Sequence, residues 1–485
     1  MVKEKFFDYL NRLFLMVFLC SILFVLGSLL YVLIDISQEI KVPALLVCIG
    51  FCVCTALLAF LFLWIYRIRW NPKYIPYIIF FVSLFLHILV ILFIHTPVIS
   101  DFKTQWLASQ QILHHEMGYQ SIPYFIHWKN QIGFSIYEAI LCLIHDSQQT
   151  IRVVNAIASS FTVLFTYEIT KHLFSQRTSC FITIGYMLSI FPCTYVSVLS
   201  NQIPAVFLVY FALFLLIVKP CKRPFLNIIF AAVALALSEL LRPEAVLILV
   251  PYLVYQCFSW LHGERLKKVL LTTLVFFASY TITFEGLNKL SIETGVAPLG
   301  LKSDDLTYKF LVGTNYESKG KFSKELTAKI DQLENTGMDR KQAELMLLKE
   351  SASTTLPGWS HLFLDKTSCF WWERNLKWSM NTLYRQYHFP QRINEVLVYG
   401  LGFLDVCQFF LFFLLLLPYW FSLWKRKSFH KEEMLLPYVF FTVFIVFLFV
   451  EVQSRYAYIV QPIIYIMAAG GIKTIEAKRK ERVVR

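Results

Sequence analysis

Ile75-Pro-Tyr-Ile-Ile-Phe-Phe-Val-Ser-Leu-Phe-Leu-His-Ile-Leu-Val-Ile-Leu-Phe-Ile94, followed by His95-Thr96-Pro-Val-Ile-Ser-Asp101-Phe-Lys103, decides the class of fold. No Asp, Glu, Lys or Arg interrupts residues 75–94. Such a run is long enough to cross a hydrocarbon layer of about 30 Å as a helix. The chain turns polar at Asp101, where a membrane span should surface. Carboxylates are scarce, with 32 Asp and Glu among 485 residues. A carboxylate at a membrane boundary, beside an aromatic and amphipathic stretch, is placed to remove a proton from an incoming molecule.

Similar apolar runs fill the chain. It is 57% hydrophobic and only 16% charged, against about a quarter charged for a soluble globule. We expect an all-α polytopic membrane protein and no barrel, since short alternating strands are missing. The expected spans are 13–34, 43–66, 75–94, 151–170, 180–198, 203–218, 225–241, 245–261, 269–284, 397–421, 434–450 and 456–472, about twelve in all. The segment 132–144 is short and carries Glu138. It is either a thirteenth span or a helix lying in the interface.

Charge sets the orientation. A net charge of +13 in a soluble protein would suggest nucleic acid. Here the bases gather in short loops and in the tail Lys478-Arg-Lys-Glu-Arg-Val-Val-Arg485, so no nucleic-acid partner is expected. With Lys3, Lys5 and Arg12 inside, and 132–144 not crossing, the other basic clusters also fall inside. These are Arg67 with Arg69 and Lys73, 171–177, 219–223, 265–268, 425–431 and the tail. The same orientation puts Asp101, Asn201-Gln202, Arg242-Pro-Glu244, the loop 285–395 and Glu451–Arg455 together outside. That loop of roughly 110 residues exceeds any plain connector. Two helical patterns lie in it, at 321–333 and 339–349. Phe370-Trp-Trp372 and Trp378 are expected to rest on the bilayer surface.

The 11 cysteines suggest no disulfide framework, since most lie in apolar runs. No Walker loop, dinucleotide fingerprint or nucleophile elbow is evident. Four constellations remain. Asp101 is either an N-cap for the helix after it or a general base poised at the membrane edge. Lys103 follows it. Arg242 either snorkels or grips a phosphate through two hydrogen bonds, with Glu244 orienting it. Pro243 would start the next helix. Glu451 and Arg455 are four apart and can pair on one helical face beside Tyr456, or Arg455 holds a leaving phosphate. In Phe310-Leu-Val-Gly-Thr-Asn-Tyr-Glu-Ser-Lys-Gly320, Asn315 and Lys319 are candidates for a sugar or phosphate contact, or belong to a surface turn.

In order and spacing these stretches resemble the GT-C superfamily of integral-membrane glycosyltransferases. More narrowly, they resemble the bacterial family related to protein O-mannosyltransferases and the aminoarabinose transferase of lipid A. The resemblance rests on Ser100-Asp-Phe102 with its following helix and on Ile151-Arg-Val-Val-Asn-Ala-Ile-Ala-Ser-Ser160, running on to Tyr167 and Lys171-His-Leu-Phe174. It rests also on Leu241-Arg-Pro-Glu244 and on Ser454-Arg-Tyr456 with Pro462. It implies a GT-C-like bundle of 12–13 spans with one long extracytoplasmic loop. Two extra spans occupy 1–74, and a core with its first external loop at 95–131 occupies 75–285. An external subdomain follows at 286–396, then C-terminal spans at 397–474 and a basic cytoplasmic tail at 475–485.

The resemblance implies a polyprenyl-phosphate-linked sugar donor and a glycan, lipid or protein acceptor of the cell envelope. Asp101 would be the catalytic residue, and Arg242 and Arg455 would bind the lipid phosphate. Glu244, Glu451, Tyr456, Lys103, Asn315 and Lys319 would support them. Many relatives carry a second acid where this chain reads Ser200-Asn-Gln-Ile-Pro204. The resemblance leaves room for a divalent cation, for which the sequence offers no ligand cluster. A polymerase or ligase using a lipid-diphosphate donor is the competing enzyme. A lipid-linked-sugar flippase or other transporter is the competing class, and it would need a polar path through the spans.

Overall fold

The computed structural model describes residues 2–68, 73–303, 305–352, 355–374, 376–426 and 431–484. Arg69, Lys427 and Arg485 of the basic clusters lie outside the described residues. Helices dominate, and no strand occurs among the described residues. The reason is physical: within lipid a backbone must satisfy its own polar groups, and helices do so within one segment.

The first three helices are α1 (Val2–Glu39), α2 (Ala44–Arg67) and α3 (Ile75–Phe93). The return after α3 holds α4 (Ser100–Leu113), α5 (Pro123–His127) and α6 (Ile132–Cys142). A run of apolar helices follows: α7 (Gln148–Leu173), α8 (Gln176–Met187), α9 (Ile190–Tyr195), α10 (Gln202–Ile217), α11 (Pro224–Leu241), α12 (Val246–Leu261) and α13 (Leu266–Glu293). The long loop contains α14 (Leu306–Thr314), α15 (Lys324–Asn335), α16 (Arg340–Ala352), α17 (Leu356–Thr367), α18 (Lys377–Met380) and α19 (Leu383–Gln386). The chain ends with α20 (Gln391–Leu414), α21 (Leu416–Lys425), α22 (Lys431–Phe449) and α23 (Gln461–Val484).

Eight helices of the described chain are long and apolar enough to cross a membrane, and α10 and α12 are shorter apolar helices. The chain is a multi-pass helical membrane protein. The expected span 180–198 is not one helix: it breaks between α8 and α9. The buried Asp405 of α20 explains the break. Its carboxylate accepts hydrogen bonds from Ser189 Oγ at 2.9 Å and from the Ile190 amide at 2.6 Å. It thereby takes over an amide freed at a helix start. Arg374 lies 3.5 Å from the same carboxylate.

α6 is only 11 residues long, about 16 Å at 1.5 Å per residue, too short to cross. It packs against α4 and the end of α11 instead. Gly133 permits that approach, since a Cβ there would stand 1.9 Å from the Leu240 carbonyl oxygen.

Two expectations about aromatic and loop positions need correction. Trp371 and Trp372 do not lie on the bilayer surface: both are buried, and Trp372 Nε1 donates to the Val25 carbonyl at 2.8 Å. An aromatic cluster suits a core as well as an interface, and here α1 and α20 enclose it. Pro243 does not open a helix. It sits in the turn between α11 and α12, whose first residue is Val246.

Candidate active site

The site is assembled from four pieces of chain that meet at one end of the bundle. The first is the turn after α3. Thr96 is held through its carbonyl by Arg152 Nη2 at 2.7 Å, and its hydroxyl donates to the Ser379 carbonyl at 2.9 Å. Arg152, buried in α7, also donates through Nε to the Ser197 carbonyl at 2.9 Å. One guanidinium therefore fixes two turns. Ser100 follows at φ 54°, in the left-handed region, a strained conformation for a residue with a side chain. Asp101 then falls in the first turn of α4. The capping position is Ile99, with no side-chain cap, so Asp101 is not the N-cap. Its charge still sits where free amides favour an anion.

The second piece is Gln453–Tyr456, just before α23. Arg455 Nη2 lies 3.7 Å from Asp101 Oδ2. The guanidinium is stacked among rings, 5.2 Å from the centroid of Phe102 and 5.4 Å from that of Trp378. Gln453 Oε1 accepts its Nε–H at 2.7 Å. Such stacking contributes about 0.5–2 kcal/mol per ring when desolvated and holds the planar head in one orientation. The Asp101 side chain is 47% exposed and that of Arg455 only 9%. A fixed cation thus faces an accessible carboxylate.

The third piece is the turn after α11. Arg242 lies 4.6 Å from the centroid of Tyr456, and Arg455 lies 5.9 Å from the same centroid. The two guanidiniums therefore share one phenol ring. Arg242 pairs with Glu244 and donates through Nη1 to Asn201 Oδ1 at 3.1 Å. The fold brings these groups together from positions 101, 242 and 455, and all three arise from stretches that the family resemblance singled out.

The fourth piece, α14, was not foreseen. Lys309 Nζ pairs with Glu451 Oε2 at 2.5 Å, and the Glu451 amide donates to the Lys309 carbonyl at 2.9 Å. Glu451 does not pair with Arg455, because residues 451–453 are extended and 454–459 form a 3-10 turn, so four-residue spacing no longer aligns side chains. Burial pushes the Glu451 carboxyl up, but Lys309 and the Gln453 amide outweigh it, and the group stays below the usual carboxylate range. Burial likewise works against the Lys309 ammonium, yet Glu451 leaves it raised. Gly313 makes the approach possible: a Cβ there would stand 2.2 Å from the Phe449 carbonyl oxygen. Gly313→Ala is expected to destabilise the fold by about 1–3 kcal/mol through overpacking, read as a lower melting temperature in detergent with a parallel loss of activity.

Lys366 of α17 fastens the same junction, donating to the Gly313 carbonyl at 2.5 Å and the Val450 carbonyl at 2.8 Å. Burial pulls its ammonium down from 10.5 to about 7. The native chain then sheds this proton more readily than the unfolded chain. The cost of the buried charge is complete below about pH 7 and fades as pH rises toward 10.5. Wild type should therefore gain stability relative to Lys366→Met between pH 7 and 9.5 in thermal unfolding. Parallel curves would contradict this.

The remaining candidates stand apart. Asn315 Oδ1 accepts the Ser318 amide at 2.8 Å and so closes its own turn. Lys319 pairs with Asp365 at 3.2 Å, on the side facing α1. Lys103 is exposed on α4. Tyr124, unforeseen, stands near Asp101: burial first, and then that carboxylate, raise its phenol well above the ordinary value, so it keeps its proton. Gln105 Nε2 donates to it at 3.4 Å.

A divalent cation needs several oxygen ligands. Asp101 faces a guanidinium, Asn201 accepts from Arg242, and no group of three or more His, Cys, Asp or Glu gathers among the described residues. The residues present do not fit a metal, and no step below passes through one.

Residues 132–283 match the family model described as dolichyl-phosphate-mannose-protein mannosyltransferase. The match runs from α6 into α13 and includes Arg152, Asn201, Arg242 and Glu244. The resemblance expected from the sequence is therefore found over that segment. No curated protein matches. Among solved structures, the chain is similar to the archaeal oligosaccharyltransferase AglB from Archaeoglobus fulgidus in complex with an inhibitory peptide and a dolichol-phosphate. Identity is 15% and the TM-score 0.47, over 86% of this chain and 52% of that one. The apo form of the Archaeoglobus fulgidus oligosaccharyltransferase gives 15% identity and a TM-score of 0.48, over 85% and 52%. ArnT from Cupriavidus metallidurans bound to undecaprenyl phosphate gives 11% identity and a TM-score of 0.36, over 82% and 77%. The chain spans about half the length of the oligosaccharyltransferase.

Proposed function

We propose that this protein is a GT-C-type glycosyltransferase that moves a sugar from a polyprenyl-phosphate donor to a cell-envelope acceptor on the extracytoplasmic face of the cell membrane. The observation that carries this reading is the convergence of Asp101, Arg455 and Arg242 around Tyr456. The description of the matched family, which names a dolichyl-phosphate sugar, agrees with it.

The chemistry is a single displacement. The acceptor hydroxyl attacks the anomeric carbon while its proton passes to Asp101. A carbon–oxygen bond forms to the acceptor, and the bond between that carbon and the phosphate oxygen breaks. The polyprenyl phosphate departs with the bonding electrons. Arg455 and Arg242 offset the charge that grows on it, which preorganised donors do at little cost in reorganisation. No nucleotide is consumed, because the glycosyl phosphate is already activated. As the donor phosphate engages Arg455, it competes with Asp101 for that guanidinium and frees the carboxylate to act as base.

Transfer of radiolabelled sugar from a polyprenyl phosphate by the purified protein tests the reaction. Use of a lipid diphosphate alone would instead favour a polymerase or ligase. Reporter fusions at Lys267 and Lys319 test the orientation. The expected result is that the first reports the cytoplasm and the second the exterior, and a common side for both would overturn it.

A further inference from the structure

A cavity of roughly 1090 Å3 lies between α1, α2 and α20, away from Asp101. Its walls are apolar. Val32 and Ile36 come from α1, Leu46 and Gly50 from α2, and Val396 and Phe403 from α20. Leu46 is 56% and Val396 73% exposed. Apolar walls on membrane helices suit acyl chains, and the volume stands just above the range of about 300–1,000 Å3 common for small-molecule pockets.

The rim is charged and largely self-paired. Lys319 meets Asp365 at 3.2 Å, Lys321 meets Glu373 at 3.2 Å, and Lys377 meets Glu39 at 3.8 Å. Three lining ions carry no ion pair with another described residue: Arg392 and Glu395 on α20, and Asp35 on α1. One guanidinium and two carboxylates therefore line the cavity without an ion pair, Glu395 accepting a neutral hydrogen bond from Gln391 Nε2 at 3.0 Å and Asp35 feeling Lys319 and Lys321 from beyond ion-pair distance. A purely anionic headgroup would satisfy Arg392 and meet two like charges. A headgroup with both a phosphate and a primary ammonium satisfies all three.

We propose that this cavity binds a zwitterionic aminophospholipid of the outer leaflet. Its phosphate meets Arg392, its ammonium lies between Asp35 and Glu395, and its acyl chains lie along α1, α2 and α20. The proposal takes only its orientation from the reading above, not its chemistry. The segment between Glu373 and Trp378 separates the two places: Arg374 and Lys377 line the cavity, and Trp378 stacks beside Arg455. Lipid occupancy therefore bears on the wall that holds the phosphate-binding arginine.

Native mass spectrometry of the full chain in detergent, with phosphatidylethanolamine, phosphatidylglycerol or undecaprenyl phosphate added, tests this. The expected result is a phosphatidylethanolamine adduct about tenfold tighter than the phosphatidylglycerol one, unchanged in Asp101→Asn. Gly50 and Gly400 line the cavity, and a Cβ at either meets nothing within 4 Å, so Gly50→Phe and Gly400→Phe each place a ring at its wall. Each should lose the adduct while melting like wild type. Should either fail to fold, Asp35→Asn with Glu395→Gln serves instead and should shift preference to phosphatidylglycerol. Adducts unchanged in the folded filled variants, preference unchanged in the charge variant, or a wild-type preference for phosphatidylglycerol or undecaprenyl phosphate would overturn the proposal.

Discussion

Asp101→Asn lowers sugar transfer by about 10²–10⁴-fold, the usual contribution of a positioned general base, while donor binding and melting temperature stay near wild type. The substitution keeps the shape of the side chain and removes only its charge and basicity. The side chain is half exposed, so the fold does not depend on it. Arg455 keeps its Gln453 partner and its aromatic stack, so the proposed phosphate site survives. The loss should therefore appear in kcat. Steady-state kinetics with a polyprenyl-phosphate sugar would measure it, and a variant within threefold of wild type would remove Asp101 from the chemistry.

Arg455→Ala lowers transfer by about 10²–10³-fold, the scale expected for losing one preorganised charge donor at a leaving group, and it weakens donor binding as well. Lys at this position should restore little. A flexible ammonium neither stacks between Phe102, Trp378 and Tyr456 nor presents two parallel donors to a phosphate. Combined with Asp101→Asn, the losses should be less than additive, because the two groups face each other in one site. Lys103→Ala is the contrasting control. Lys103 is exposed and should leave transfer within about twofold, as surface changes away from a site do. Kinetics of the double-mutant cycle would decide the matter, and full additivity would place the two residues in separate events.

Much of this fold was legible because the membrane simplifies the problem. Runs such as 75–94 and 397–421 can do little else than cross. What stayed hidden depended on contacts distant in sequence. The break between α8 and α9 follows from Asp405, more than two hundred positions away. Phe370-Trp-Trp372 read as an interfacial belt because composition does not distinguish a ring that meets lipid from one enclosed by α1 and α20. Pairing Glu451 with Arg455 assumed a regular helix. The extended 451–453 segment gave Glu451 to Lys309 across 142 positions instead.

The site was legible in the same measure. Asp101, Arg242 and Arg455 stood out as ions at span boundaries, where charge is costly and seldom idle. Lys309 and Tyr124 gave no such signal, since both lie in loops where charge and aromatic residues are ordinary. Arg152 was quoted as part of a motif, but its bonds to Thr96 and Ser197 are visible only in three dimensions.

A cryo-electron microscopy structure with bound polyprenyl phosphate tests the central claim most directly. The account predicts phosphate density touching both Arg455 and Arg242, with Asp101 facing the side on which an acceptor would arrive. Phosphate density elsewhere, for instance in the cavity between α1, α2 and α20 with the Asp101 site empty, would contradict it.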